Sequence, residues 1–290
     1  MTQPRTRRTW ILPGLLVLVL LQTGCGGGAG DSTTTGATDT TTGGPPATGD
    51  QALFMITYEG GFASPSMFAS IGPAYVVTTD GRLIMQGPIP EIFPGPLVPN
   101  YQVMDVSDLL PDLEDILDRV GIAGITEEID TDAEATVADA STTVLTYFDQ
   151  TGTHRYGVYA LGLEPQVDPA DEQKVALNDL IMTLDATAFG GEPSQPYQSD
   201  RWQVVVSDDF RPPESDMPED SRPYPLEIAV EDFEDNSFGL PCTVLEGDAA
   251  QAAAEAFADA TQMTLWDTGS EQVQLLARPL LPGEDGCRNQ

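Results

Sequence analysis

The chain holds 46 acids, 12 lysines and arginines, one histidine and three cysteines in 290 residues. His154 follows the turn Asp149-Gln150-Thr151-Gly152 and precedes Arg155. A histidine-based nucleophilic site would need a serine marked by G-x-S-x-G or S-x-x-K, and neither motif occurs. His154 is therefore expected to be an incidental surface histidine. The clusters that close zinc sites are missing too. Calcium takes six to eight oxygen ligands, and two acidic runs supply oxygen. They are Glu127-Glu128-Asp130-Asp132-Glu134 and Glu231-Asp232-Glu234-Asp235-Asn236. Asp130, Asp132 and Glu134 resemble the start of an EF-hand loop, without its glycine at position six or its glutamate at twelve. With 46 acids such runs arise by chance, so they are weak calcium candidates, and no cofactor is otherwise expected. The same abundance leaves a carboxylate pair for glycoside hydrolysis unmarked, because that chemistry depends on the separation of the two groups. Trp202, Trp266, Tyr224, Phe233 and Phe238 are candidates for a sugar- or peptide-binding face, although aromatics on strands more often fill cores.

Cys25 carries the most specific signal. Arg5, Arg7 and Arg8 precede an apolar run from Ile11 to Leu21, then Thr23-Gly24, then the cysteine and three glycines. Eleven apolar residues are too few to cross roughly 30 Å of hydrocarbon as a helix. A basic start, short apolar run and small-residue exit fit an export signal over residues 1–24. Leu21-Gln22-Thr23-Gly24-Cys25 resembles a lipobox, with Gln22 where an aliphatic residue is usual. Cys25 is thus the expected lipid-bearing residue, and ordinary cleavage to a free secreted protein is the other outcome. An odd cysteine count in an exported chain needs an explanation, which lipidation of Cys25 provides. Cys242 and Cys287 are then free to pair, in which case the loop contributes about 4 kcal/mol by chain entropy; two separate buried thiols are the alternative. Gly26 follows with no Asp, which under the aspartate sorting rule favours the outer membrane or cell surface over the inner membrane.

Removing residues 1–24 takes away three arginines and no acids, which moves the net charge from −34 to −37. Such a surface repels nucleic acid and anionic lipid. Its self-repulsion is relieved by salt, with a Debye length of about 8 Å at physiological ionic strength.

Residues 25–50 are the lipidated cysteine and a Gly/Thr-rich tether without a large apolar side chain. The tether is expected to stay disordered, with a reach of roughly 25–30 Å. An acidic globular domain, 51–290, follows. Strands are expected at Ala52–Tyr58, Ala74–Thr79 and, after the Asp80-Gly81 turn, Arg82–Met85. Gly87–Tyr101 is studded with prolines and excludes helix and central strand. Ser107 is expected to cap a helix to Val120 with an apolar stripe, ended by Gly121. A hairpin of Thr142–Phe148 and His154–Leu161 precedes a second helix opened by Asp168-Pro169. Trp202–Val206, Leu226–Val230 and Cys242–Leu245 read as strands. Asp248 with Gln251 reads as a capping box for an alanine-rich helix, and Met263–Trp266 and Val273–Arg278 are closing strands. The pattern predicts an α+β fold of antiparallel or mixed sheets with about three helices on one face. It also admits two similar subdomains divided near 190–200.

Several fragments are similar to those of a group of uncharacterised bacterial secreted lipoproteins: Glu59-Gly60-Gly61-Phe62, Asp80-Gly81-Arg82-Leu83-Ile84, Ile92-Phe93-Pro94-Gly95-Pro96, and Arg278-Pro279-Leu280-Leu281-Pro282 with Cys287. The resemblance covers most of 52–287. It implies export, an α+β domain and a Cys242–Cys287 disulfide, and it implies no activity. Without an activated nucleophile or phosphate-binding loop, the expected role is a binding or structural module. That module would be held at the cell envelope by a lipid anchor, with an envelope protein or glycan as partner. A carboxylate-based, calcium-assisted extracytoplasmic hydrolase is the alternative.

Overall fold

A computed structural model describes residues 51–131, 137–163, 171–190, 194–207 and 220–287. Cys25, the tether, Asp132, Glu134 and the Asp168-Pro169 pair lie outside the described residues. In chain order the elements are β1 (Ala52–Glu59), α1 (Pro65–Ser70), β2 (Tyr75–Thr78), β3 (Arg82–Gln86), β4 (Tyr101–Asp105), α2 (Leu110–Val120), β5 (Glu127–Asp130), β6 (Thr142–Asp149), β7 (Gly152–Tyr159), α3 (Glu172–Phe189), β8 (Gln195–Pro196), β9 (Arg201–Val206), β10 (Ser221–Pro223), β11 (Glu234–Asp235), β12 (Pro241–Glu246), α4 (Gly247–Phe257), β13 (Leu265–Asp267) and β14 (Gln272–Pro279).

The fold is α+β, built on two mixed sheets. The first has the order β5-β7-β6-β1-β2-β3-β4-β8 and the second β10-β13-β14-β9-β12-β11. All pairings are antiparallel except β5 with β7 and β10 with β13. Each sheet buries both faces. On the first, Phe54, Ile56, Val77, Leu83, Leu145 and Tyr156 meet the apolar stripes of α2 and α3. Alternate residues, Val76, Ile84, Tyr101 and the partly buried Met55, turn to the other side and pack with Leu281. A register shift between Ala52 and Phe54 lets Ala52 join this second face, although it is two residues from Phe54. On the second sheet, Trp202, Val204, Trp266 and Leu275 pack with Phe257 and the alanines of α4. The opposite face, with Val205 and Cys242, packs on Ala69 of α1. The long helices thus lie outside, and α1 and the C-terminal turn fill the space between the sheets.

Local chemistry explains most of the boundaries. Gly121 ends α2 at φ 70°, and its N–H reaches the carbonyls of Leu117 and Asp118. The first turn of that helix is a 3-10 turn, Ser107–Leu109, and Ser107 does not cap it; its own N–H is held by Asp105 Oδ1 at 2.9 Å. Asp171 caps α3 by accepting from Lys174 N. Ser64 caps α1 and Pro65 takes its first position, a short helix that has too little periodicity to read in sequence. Leu226–Val230 is irregular rather than a strand; Pro223 and Pro225 lack ladder donors, and the Tyr224 hydroxyl donates to Ile228 O instead. No side chain caps α4, so the Asp248/Gln251 box is not formed. Cys242 and Cys287 form a disulfide, with Cα atoms 5.8 Å apart, that ties the C-terminal turn to β12.

Candidate functional site

The space between the sheets is incompletely filled and leaves a cleft of about 720 Å³. Side chains of β1, β6 and β7 that point away from α2 and α3 form one wall: Met55, Thr57, Thr146, Phe148, Thr153 and Arg155. Phe68, Ile71, Gly72 and Pro73, in and after α1, form the other wall with Phe238 and the turn Gly283-Glu284-Asp285. Phe68 and Phe238 stack, with ring centroids 5.8 Å apart. Volume and lining suit a small ligand with an apolar body.

Four of the five charged side chains that line the cleft pair with one another; the fifth, Asp285, is exposed. Arg278, on β14, donates from Nη1 and Nη2 to the two Glu284 oxygens at 2.8 Å each. Its Nη2 also reaches Gln203 Oε1 at 3.1 Å, and Gln203 Nε2 donates to Ala69 O at 3.2 Å. Glu284 also accepts from Leu281 N at 2.8 Å. The network joins β14, β9, α1 and the C-terminal turn. Desolvation alone would draw the Arg278 proton affinity down, but the adjacent Glu284 charge outweighs it and holds the affinity above the ordinary value. Tyr101 of the first sheet closes the network from the other side; burial pushes its hydroxyl up, and Arg278 partly opposes that. Gly72 passes between them, and a Cβ there would overlap the Tyr101 hydroxyl and sit 3.0 Å from Arg278 Nη1. At the cleft wall, Arg155 Nη2 donates to both Glu59 oxygens at 2.9 and 3.0 Å. Glu59 and Glu284 thus each accept two hydrogen bonds from an arginine.

The sequence-derived candidates lie mostly elsewhere. His154 is buried, not at the surface: Nδ1 sits 2.6 Å from Ile125 O, and Nε2 lies 3.0 Å from Thr151 Oγ1 and 3.2 Å from Asp149 Oδ1. The Ile125 carbonyl and then Asp149 raise its proton affinity. Asp149 is drawn down to about 2, first by the Thr151 hydroxyl and further by backbone N–H groups and His154. The side chain pins the β6–β7 hairpin to the turn after α2, and no serine nucleophile approaches it among its bonded partners. Asp130 Oδ2 accepts from Lys174 Nζ at 2.9 Å, so a cation there would compete with that ammonium. Among the described residues, no group of three His, Cys, Asp or Glu is arranged to hold a metal ion. Trp202 and Trp266 belong to the second core, and Tyr224 and Phe233 pack against it. Of the five aromatic candidates, Phe238 is the one that reaches the cleft.

Sequence reasoning missed Arg155, Arg278 and Glu284 as a set, because nothing in chain order pairs β7 or β14 with residues 59 and 284. Two of the quoted fragments, Glu59-Gly60 and Arg278, nevertheless border the cleft. No protein-family model, curated protein or solved structure matches the chain.

Proposed function

We propose that this chain is an exported lipoprotein, anchored at the cell envelope through Cys25, whose globular part binds a small ligand with an apolar body in the inter-sheet cleft. The cleft supports this reading: Met55, Phe68, Ile71, Phe148 and Phe238 give it apolar surface, and Arg155 with Glu59 and Arg278 with Glu284 are paired, so a ligand would be held by shape and apolar burial. The Cys242–Cys287 disulfide fits an oxidising compartment. None of the described helices is long and apolar enough to cross a membrane, which fits attachment by a lipid.

Two experiments separate the two halves of the proposal. Metabolically supplied radiolabelled palmitate should enter the wild-type product and not Cys25→Ser; equal labelling of both refutes the anchor. For the cleft, Thr153 is exposed on the β7 wall, so Thr153→Trp narrows the opening without disturbing a core. Native mass spectrometry of protein released from envelopes should show a small-molecule adduct in the wild type that Thr153→Trp lacks. An identical adduct in both would place the ligand elsewhere.

A further inference from the structure

Beside the cleft, and sharing Ile71 and Gly72 with it, runs a second groove of about 680 Å³ between α1 and the proline-rich loop after β3. Five large apolar side chains border it in exposed positions: Met67, Ile71, Ile89, Ile92 and Phe93, the last three 70, 65 and 78 % exposed. The sequence around them lacks charge. Gly60–Thr79 contains no charged residue, and Leu83–Met104 contains Glu91 alone. At the chain's average of 46 acids in 290 residues, those 42 positions would hold six or seven. In a molecule this acidic, a groove lined by no charged side chain, with Glu91 exposed on its bordering loop, can leave water at little cost in ion desolvation.

We infer that this face docks on a lipid bilayer of neutral headgroups, with Ile89, Ile92 and Phe93 entering the interface. The loop's backbone favours hydrocarbon over a protein partner that adds a strand. Four of the ten residues Gly87–Pro96 are prolines, so few N–H groups would be buried unpaired, and few are available to extend a sheet. Prolines also stiffen the loop before it binds, which reduces the ordering cost. The net charge sets headgroup preference: anionic lipid repels the body, and salt relieves the repulsion. The inference builds on the proposed anchor, since a tether of roughly 25–30 Å reach would keep the face near lipid.

The test dispenses with the anchor. The described residues, all from 51 on, belong to one compact unit, so a chain starting at residue 25 with Cys25→Ser retains it and carries no acyl group. Phe93→Trp places a reporter in the loop, and Phe189→Trp places one at the end of α3, a helix on the opposite face of the first sheet. On titration with phosphatidylcholine vesicles bearing brominated acyl chains, the reporter at 93 should be quenched and the one at 189 should not. Ile92→Ser, tested with the same reporter at 93, should lower the vesicle partition by about tenfold, and added phosphatidylglycerol should weaken it at low salt. Equal quenching at both sites, or none across the titration, overturns the inference. So does a blue shift at 93 caused by lipid-free envelope protein without quenching by vesicles, which would make the face a protein-docking surface. Palmitate labelling reads the anchor separately, so either reading can fail alone.

Discussion

Replacing Glu284 by Gln should destabilise the protein more than any surface change, because it strands a buried cation. The Arg278 and Glu284 side chains are 3 and 9 % exposed and joined by two 2.8 Å bonds. Removing one member of such a buried pair costs about 3–5 kcal/mol, mostly through the uncompensated charge left behind. The expected loss is a large part of a typical folding free energy of about 5–15 kcal/mol. For a body of this size it corresponds to roughly 6–20 °C in Tm. Urea unfolding followed by tryptophan fluorescence reads it directly, since Trp202 and Trp266 both lie in the second sheet's core. The midpoint should fall with an unchanged m-value. Combining Arg278→Met with Glu284→Leu should recover most of the loss, because an apolar replacement leaves no stranded ion. A loss below about 1 kcal/mol in Glu284→Gln, with the disulfide intact, would refute the view that this pair interlocks β14, α1 and the C-terminal turn.

Three further outcomes are expected. Cys242→Ala with Cys287→Ala should cost about 4 kcal/mol in urea unfolding for the opened loop, and alkylation of the denatured wild type without reductant should label neither cysteine. The His154 contribution has a definite sign: its folded-state proton affinity is raised above 6.5, so its stabilisation is complete below pH 6.5 and is lost as pH rises through the shifted value. Asp149, drawn down to about 2, stabilises above its unfolded value of 3.8, and that contribution fades as pH falls toward 2. The difference in urea midpoint between wild type and His154→Asn should therefore be largest between those limits and shrink toward alkaline pH; a flat difference refutes the assignment. At constant ionic strength, calcium and chelator should give equal melting midpoints, since Lys174 already occupies Asp130; a calcium-dependent rise would revive the acidic run as a site.

Local signals were legible where a single residue's stereochemistry decides the backbone. Asp80-Gly81 turns β2 into β3 with Gly81 at φ 82°, Gly121 stops α2, and the alternation of 142–159 forms the β6–β7 hairpin in register around Asp149-Gly152. The α+β class followed from the order of such pieces. β4, β5 and α1 were not legible. β5 is a short edge strand of exposed acids, paired in parallel with a strand some thirty residues later, and nothing in its own composition favours a strand. α1 is six residues long, less than two turns, so it shows no apolar period.

The chain itself determines its charge, the two stretches totalling 42 positions with a single acid, and the count of three cysteines, because these depend on residue type alone. Tertiary structure decided that His154 is buried, that Trp202 and Trp266 fill a core, and that Arg278 meets Glu284 beneath a cleft between the first sheet and α1 with the C-terminal turn. Those outcomes rest on which faces pack together across long sequence separations, where burial and charge pairing act between residues that no local pattern connects.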